Sequence, residues 1–593
     1  MTTGQEIESI LAVDAGSVTT KAMLVDLVDG VYRLVARGEE TAGTSDSREQ
    51  LLAGVEGIVQ QMEAATGRQL WDPNDGLIMP EREDGQGVDA LAVATSALPP
   101  LRVVIAGLIQ SLSVEQARQA VEGAYAVVQD VVALDEGEQR WGASRGIEAK
   151  LEALCQTPPD VILLAGGVNG GAVSPLLDVA QILVALASVL EPLQRPMVIL
   201  AGNEEARTPV AELLADLYPF RAVDNVMPDL ETQALGGVQR ELERLYIERG
   251  ATRVPEIAEL QALGTAAQGS APLVSAAQAF GTLIRFVERR YNLAHGVLGV
   301  DLGGANAHLV AATRGGTRSL LRSDLGTSYG LQQLLSQVSI EEILRWLPFD
   351  MSADEARNRL LTRELYPASL PQSREDLFLE QAAAREALRL ALAGLAASEQ
   401  RQAGAKGLLP PLDMIIASGG ALSHAANPGQ AALLLLDALQ PVGLLQLVLD
   451  PLGILPALGA VAAVQPLAAA QVLEQDGFLE LGTVVAPVGA ARLGDIALKC
   501  KMTYADGSTV QVDVPFGSLE VVPLPQGQTA TLELRPTRRF DIGWGSKGRG
   551  GKIEVKGGAV GLIIDARGRP LQLAAQPTNQ QARVQEWLWS MGG

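Results

Sequence analysis

The sequence is poor in aromatic residues, cysteine and positive charge, and each shortage excludes a class of protein. Phe, Trp and Tyr make up 4% of the 593 residues, so the cores must be aliphatic, while 47% hydrophobic residues suffice for three or four domains. Cys155 and Cys500 have no metal-spaced neighbour, which argues against structural zinc and a disulfide framework and suits a cytoplasmic protein. The formal net charge of −23 argues against nucleic acid and anionic membranes as partners, because both repel an acidic surface.

The sequence shows no targeting or membrane segment. The first ten residues carry Glu6 and Glu8 and no basic region, so we expect no secretory signal. Residues 451–473 contain no charged side chain and are long enough to span a bilayer. They also contain three prolines and many Ala and Gly residues, a composition that favours a buried protein core.

A short phrase of aspartate and small residues occurs twice, far apart in the chain. The first copy is VDAGSVTTK (Val13 to Lys21), and the second is VDLGGANAH (Val300 to His308). Each copy ends an apolar run that reads as a buried strand and then breaks into a glycine turn. Such a turn offers backbone N–H groups to phosphate oxygens, and its carboxylate offers a ligand to a cation or its waters. Two such turns facing each other predict a clamp for a nucleotide polyphosphate and magnesium.

A third phrase, DMIIASGGALSH (Asp413 to His424), is another strand followed by two glycines. Without Cβ atoms at those glycines, the backbone can approach a flat ring closely. The three phrases occur in the order phosphate turn, phosphate turn, then strand followed by two glycines. This order is typical of the actin, sugar kinase and heat-shock ATPase superfamily, and the chain resembles that superfamily at these three places. The expected nucleotide-binding residues are Asp14, Gly16, Ser17, Thr19, Thr20, Lys21, Asp301, Gly303, Gly304, Asn306, Gly419 and Gly420, with Asp14 and Asp301 positioning magnesium.

Further phrases narrow the resemblance. They are DVILLAGGVNGG (160–171), VILAGNEEA (198–206), DNVMPDL (224–230) and SDLGTSYG (323–330). With these phrases the first 470 residues or so resemble the glutamate mutase L family, accessory proteins of a cobalamin-dependent mutase. The resemblance implies an actin-like ATPase fold, ATP and Mg²⁺ as cofactors, mutase subunits as partners, and a chaperone or reactivating role.

Two departures from the family pattern argue against efficient ATP hydrolysis. Where the second phosphate turn of the family continues with Thr, Thr and Asp, this chain has Asn306, Ala307 and His308. Of these, Asn306 can bind a phosphate oxygen, whereas histidine does not replace a carboxylate near a hard cation. The paired-glycine loop of the family's first half is replaced by a segment containing Pro99 and Pro100, which lack backbone donors.

The strand and helix patterns predict the layout of the chain. We expect a duplicated actin-like (ribonuclease H-like) α/β core, an inserted doubly wound α/β module, and an all-β C-terminal module. The predicted domains are residues 1–102 (first half), 103–235 (inserted module), 236–295 (helical connection), 296–476 (second half) and 477–593 (β-rich module).

The C-terminal module differs from the rest in charge. It has 13 Lys and Arg against 10 Asp and Glu, about +3, whereas the remainder carries about −26. Its phrase GWGSKGRGGK (543–552) resembles a phosphate-binding loop but lacks the required Gly and Ser or Thr, and reads as a basic hairpin loop. The phrase GTSYG (326–330) fits a hydrolase nucleophile pattern without the strand that such a serine needs.

The sequence thus predicts an ATP-binding accessory protein for a coenzyme B12-dependent mutase, at most a weak ATPase. Two other functions stay open: a catalytically degenerate scaffold with the same fold, and a small-molecule kinase, for which no catalytic Asp can be assigned. Which mutase is served, and whether the chain forms a homo-oligomer, are also open.

Overall fold

The structure, a computed structural model, describes residues 7–41, 51–135, 154–263, 273–403, 409–574 and 576–592, without side chains for 396–403. The chain divides into two compact units. One comprises Met1–Ala97 with Glu256–Gly593, and the other comprises Leu98–Pro255.

The first unit begins with antiparallel strands and one helix, followed by a parallel strand. The elements are β1 (Ser9–Ala15), β2 (Thr19–Val28), β3 (Val31–Thr41), α1 (Leu51–Thr66), β4 (Trp71–Asp72), β5 (Gly76–Leu77) and β6 (Ala90–Thr95). Strand β1 lies between antiparallel β2 and parallel β6. It is buried along its whole length because it is central in the sheet.

The second unit contains a five-stranded parallel sheet wrapped by helices. Its elements are β7 (Leu101–Gly107), a π-helical turn (Gln110–Val114), α2 (Glu115–Val121), β8 (Ala126–Ala133), β9 (Val161–Ala165), α3 (Ser174–Ala187), β10 (Met197–Leu200), α4 (Arg207–Leu214), β11 (Phe220–Ala222) and α5 (Gly236–Arg253). The strand order is β11-β10-β9-β7-β8, and every pairing is parallel. The predicted doubly wound module is therefore confirmed.

The chain then returns to the first unit with a helix-rich stretch, in which β12 joins the first sheet and the later strands form the second half. Its elements are α6 (Pro255–Leu263), β12 (Leu273–Ser275), α7 (Ala276–Tyr291), β13 (Val297–Leu302), β14 (Ala307–Thr313), β15 (Gly316–Arg322), α8 (Leu331–Gln337), α9 (Ile340–Leu344), α10 (Ala353–Leu365), α11 (Arg374–Ala403), β16 (Met414–Ser418), α12 (Gly420–Ser423), α13 (Pro428–Leu439), β17 (Gly443–Leu449), α14 (Leu455–Val464) and α15 (Pro466–Gln475). Helix α7 begins at a Ser275 cap, and its apolar residues at helical spacing face a core that α14 shares.

The two halves of the first unit repeat one topology. The first sheet has the order β12-β6-β1-β2-β3, and the second contains β17-β16-β13-β14-β15. In both, the first three strands are antiparallel and the next two are added in parallel beside the first strand. The duplicated actin-like core is therefore confirmed. Within the described residues, no helix is both long and apolar enough to cross a membrane. The segment 451–473 contains α14 and most of α15 and is largely buried, although Leu467 is exposed.

The C-terminal β-rich region both extends the second-half sheet and builds a separate one. Its elements are β18 (Leu479–Ala486), β19 (Val488–Gly489), β20 (Ile496–Tyr504), β21 (Thr509–Pro515), β22 (Leu519–Val522), β23 (Thr529–Pro536), β24 (Phe540–Asp541), β25 (Gly551–Lys556), β26 (Gly561–Asp565) and α16 (Pro577–Ser590). Strands β18, β26 and β22 continue the sheet beyond β17, and β21-β20-β23-β25 form a second sheet. The second sheet and strands β18, β22 and β26 share one apolar core.

The C-terminal segment is fixed to the second half by a cluster of buried charges. Asp565 accepts hydrogen bonds from Arg567 and Arg569, and Arg567 also donates to Asp437 of α13, all at 2.8–2.9 Å. The two arginines hold the pKa of Asp565 well below its usual range, although burial opposes the shift. Trp587 of α16 stacks on the Arg567 guanidinium, 4.5 Å from the ring centre. Because every charge is paired, the cluster is tolerated in a dry core.

Candidate nucleotide site

The first predicted turn lies between β1 and β2. Asp14 is at the end of β1, directly opposite Lys21 of β2, so the carboxylate and the ammonium share one face of the hairpin. Thr19 begins β2, and Thr20 is buried opposite Ala15. Gly16 donates its N–H to the Asp14 carbonyl at 3.2 Å, which tightens the turn. Its neighbour Ser17 donates a hydroxyl hydrogen bond to the Ser96 carbonyl at 2.8 Å, which fixes the turn against the next strand.

The second predicted turn has the same construction between β13 and β14. Asp301 lies opposite His308 across the hairpin, seven positions away as Lys21 is from Asp14. Gly303 donates its N–H to the Asn306 carbonyl at 2.9 Å, and Asn306 is itself buried. The segment 326–330 supports this turn from behind. Its Ser328 N–H donates to the Gly304 carbonyl at 2.8 Å, and the Ser328 side chain is buried rather than presented as a nucleophile.

The two turns face each other in direct contact. A Cβ added to Gly304 would lie 2.5 Å from Val18 Cγ2, closer than side-chain carbons approach in proteins. Val18 belongs to the first turn and Gly304 to the second, so the glycine is required for the approach. The structure therefore brings together the two aspartate-bearing turns, nearly three hundred residues apart in sequence.

The third predicted phrase joins the second turn through its first glycine. Gly419 has a φ of +95°, and an added Cβ would lie 2.1 Å from the Leu302 carbonyl oxygen, next to Asp301. Only glycine fits this position. Gly420 begins α12, and an added Cβ would have no neighbour within 4 Å, so its surroundings are open. The Gly-Gly pair thus lies at the same end of the sheet as the second turn.

A third aspartate, Asp450, completes the row of polar side chains at the strand ends. Asp301 pairs with Ser418 across β13 and β16, and Asp450 follows β17 in the neighbouring position. The fully buried Asp450 carboxylate accepts a hydrogen bond from the Ser418 hydroxyl at 2.9 Å. It also accepts the N–H groups of Ile454 and Leu455, at 3.1 and 3.0 Å, and so caps the start of α14. The site is therefore tied to the helix that packs between the two halves.

Burial and neighbouring charges raise the pKa values of Asp14 and Asp301. Burial raises the pKa of Asp14 to about 7; the Lys21 charge opposes the rise, and the Asp301 and Asp450 charges add to it. Burial likewise raises the pKa of Asp301 to about 6, again opposed by Lys21 and increased by Asp450. The Lys21 ammonium meanwhile donates to the Gly453 carbonyl at 3.3 Å. Asp14 and Asp301 thus share one ammonium and a third carboxylate, which leaves an excess of negative charge at the site.

This donor set fits a divalent cation shared with a ligand. Asp14 is 8% exposed, and its Oδ1 has no hydrogen-bond partner among the described residues. A buried, unsatisfied carboxylate oxygen beside a second carboxylate is suited to a hard cation. In the part of the chain that the structure describes, no three His, Cys, Asp or Glu side chains are placed to hold a metal by themselves. Mg²⁺ commonly uses one or two carboxylates and takes its other ligands from phosphate and water.

His308 lies in the core and does not reach the cation position. Its Nε2 is 2.7 Å from the Ser319 hydroxyl oxygen, and its ring lies against Phe280 at 5.6 Å between ring centres. Burial lowers the pKa of His308 to about 3, so the ring is neutral at physiological pH. The position opposite the aspartate therefore holds the Lys21 ammonium in the first hairpin and the neutral, inward-facing His308 ring in the second.

Sequence reasoning missed two contributors, Asp450 and Gly453. In the sequence, Asp450 only borders an uncharged stretch, and the phrase DPLG (450–453) resembles an ordinary turn. A weak signal was present, because an acidic residue followed by proline, ahead of an apolar helical pattern, is typical of a helix start.

The chain matches known proteins in sequence and in structure. The family model described as MutL protein matches residues 10–477. Protein MutL of Clostridium tetanomorphum is 23% identical over 363 residues, 57% of this chain and 73% of that protein. Two solved structures show remote likeness. One is component A of (R)-2-hydroxyglutaryl-CoA dehydratase from Acidaminococcus fermentans (TM-score 0.26, 9% identity, 78% of this chain and 99% of that chain).

The second solved structure with remote likeness is a glycerol dehydratase reactivase (TM-score 0.28, 10% identity, 77% of this chain and 100% of that chain). At these TM-scores neither likeness bears on function. The family match covers most of the chain, including both aspartate turns and the Gly-Gly phrase. The chain therefore belongs to the MutL family, the glutamate mutase L family that its sequence phrases resemble.

Proposed function

We propose that this protein binds Mg²⁺-ATP and serves as an accessory, chaperone or reactivating factor for a coenzyme B12-dependent mutase such as glutamate mutase. One observation carries the nucleotide part: two facing turns place Asp14 and Asp301 in one buried, electrostatically coupled site. The mutase part is supported by membership of the MutL family.

In this proposal each residue has a defined task. Asp14 and Asp301 hold Mg²⁺, mostly through its water ligands. The Gly304 N–H group binds phosphate oxygens, together with the hydroxyl or amide side chains of Thr19, Thr20 and Asn306. The N–H groups of Gly16 and Gly303 and the Ser17 hydroxyl, which donate to carbonyl groups in the ligand-free fold, exchange those partners for phosphate oxygens on binding. Lys21 neutralises phosphate charge, and Gly419 and Gly420 flank the adenine. When bound, Mg²⁺ would supply charge compensation for the phosphates beside the excess of carboxylates described above.

Slow turnover is part of the proposal. Ala307 offers no side-chain hydrogen bond in the second turn, and the neutral His308 points into the core. Neither residue can activate water or stabilise charge at the site. We therefore expect nucleotide binding with weak hydrolysis, and closure of the two halves on ATP as the signal passed to the mutase.

Calorimetry with Mg²⁺-ATP tests the binding. We expect saturable binding by the native chain and a loss of affinity of about a hundredfold or more in Asp14→Asn, because the cation loses a charged ligand. Asp75→Asn is the matched control, since it makes the same change on an exposed carboxylate of the same unit. Equal affinity in the native chain and Asp14→Asn would contradict the proposed site.

A turnover assay tests the accessory role. ATP hydrolysis by the native chain should rise when a glutamate mutase carrying damaged cobalamin is added, and should not rise with a small-molecule acceptor. Unchanged hydrolysis with the mutase, together with intact nucleotide binding, would contradict the partner but not the nucleotide site.

The second candidate is a degenerate scaffold of the same fold, which the buried His308 and Ala307 favour. It predicts weak or no nucleotide binding and no response to the mutase. The calorimetric result therefore separates the two functions.

A further inference from the structure

We propose that residues 535–552, here named the basic segment, are a docking surface for a short acidic segment of a partner protein. The basic segment carries six Lys and Arg and one Asp, a net charge of +5 within a chain whose net charge is −23. It also lies outside residues 10–477, which the family model matches. Its charge is therefore not explained by the nucleotide site, and the proposal does not depend on that site.

The basic segment is an ordered loop that packing and hydrogen bonds hold in place. It runs from the end of β23 through β24 to β25. The side chains of Phe540 and Ile542 are buried in the apolar core beneath it, and Gly548 donates its N–H to the Phe540 carbonyl at 2.8 Å. The half-buried Trp544 ring packs over Gly551, where an added Cβ would lie 2.8 Å from a ring carbon. A preformed loop loses little conformational entropy on binding a partner.

The single carboxylate of the basic segment does not neutralise its cations. Asp541 accepts hydrogen bonds from the N–H groups of Gly543 and Trp544, at 2.9 and 3.1 Å, and thereby shapes the turn. Arg538 and Lys547 are exposed and form no ion pair with any described residue. Arg549 is also exposed, and its guanidinium donates only to the Trp544 carbonyl, at 3.2 Å. The other three cations, Arg535, Arg539 and Lys552, meet carboxylates outside the segment. Three exposed cations are thus available to a ligand: Arg538, which lies beside Gly548, and Lys547 and Arg549 on either side of that glycine.

The surrounding charge favours an acidic protein segment over nucleic acid. Guanidinium groups bind carboxylates in a planar, two-pronged geometry, and a half-buried Trp offers an apolar contact beside them. A nucleic acid is a long polyanion with about one charge per 1.7 Å of duplex. It would run beyond the basic segment onto a chain whose remaining residues carry a large excess of negative charge, which would repel it. A short run of Asp and Glu matches the size of the surface.

Fluorescence anisotropy with a labelled oligo-glutamate of about ten residues tests the assignment on the full chain. The test variant is Arg538→Glu/Lys547→Glu/Arg549→Glu. The control is Lys499→Glu/Lys501→Glu/Lys556→Glu, which makes the same charge change on exposed residues of the adjoining strands. At about 50 mM salt we expect the test variant to lose about tenfold or more in affinity and the control to change by less than about threefold.

Three results would overturn the proposal: no binding of the peptide by the native chain at that salt concentration, equal losses in the two variants, or tighter binding of a single-stranded oligonucleotide of similar length. All substituted side chains are exposed, so both variants should keep the native circular dichroism spectrum and urea midpoint, and a loss of peptide binding can then be assigned to the surface.

Discussion

Replacing Asp14 by Asn should make the ligand-free protein more stable while removing its nucleotide binding. Burial raises the pKa of Asp14 from 3.8 to about 7, so the folded protein holds this proton more tightly than the unfolded chain does. The contribution of Asp14 to stability should therefore fall as pH rises from about 4 to about 7, because the folded state holds this proton over that range and the unfolded chain does not. The Asn side chain has no charge to bury, so the variant should not lose this part of its stability as pH rises.

The expected gain follows from the size of the shift. At about 1.4 kcal/mol per pKa unit, a rise from 3.8 to about 7 corresponds to about 4 kcal/mol above pH 7. The new amide must find its own hydrogen-bond partner in a buried place, which costs about 1–2 kcal/mol. We expect Asp14→Asn to raise the free energy of unfolding by about 2–3 kcal/mol at about pH 8 and by about zero at about pH 5.

Urea denaturation of the nucleotide-free chain at the two pH values measures this gain. Asp75→Asn, on an exposed carboxylate, should change the free energy of unfolding by less than about 0.5 kcal/mol at either pH. A destabilised Asp14→Asn, or a gain that is the same at both pH values, would refute the reasoning, because the charge would then not be the source of the cost.

Three further predictions concern packing at the site and in the C-terminal segment. Gly304→Ala should weaken Mg²⁺-ATP binding by about tenfold, since the new methyl meets Val18, and adding Val18→Ala should restore part of the affinity in calorimetry. Asp565→Asn should lower the free energy of unfolding by about 3–5 kcal/mol at neutral pH, because buried arginines lose their partner. The depressed pKa of Asp565 means that its contribution is present above about pH 4 and lost as pH falls further, which acid titration of the unfolding midpoint can follow. Trp587→Ala should cost about 3 kcal/mol and Trp589→Ala close to nothing, because the first indole is buried and the second is exposed.

The sequence predicted the fold wherever the signal was local. A strand ending in Asp and a Gly turn is visible in a dozen residues, and both hairpins form at those places. The β-rich character of residues 477–593 was also predicted, because alternation and turns are local signals, and β20 shows that alternation in its burial.

The sequence does not reveal which sheet a strand joins. Strands β18, β26 and β22 complete the second-half sheet through pairings between distant residues. The nearly continuous apolar runs of β18 and β26 indicate burial on both faces, in contrast to the alternation of β20, but burial does not specify which strands are the neighbours. Asp450 was missed for the same reason. Its place beside Asp301 depends on the parallel order of β13, β16 and β17, which is a property of the assembled sheet. Strand bounds are also hard to predict: the mostly apolar stretch from Ala222 to Val226 indicates a strand, whereas β11 is Phe220–Ala222, because strand ends are set by the neighbouring strand.

The most direct test of the account is a crystal structure of the chain with Mn²⁺ and a non-hydrolysable ATP analogue, with the ion located by its anomalous scattering. We predict a single ion between the carboxylates of Asp14 and Asp301, bound to them directly or through one water, with the triphosphate against both turns. An ion in contact with neither aspartate, or a nucleotide bound away from both turns, would contradict it.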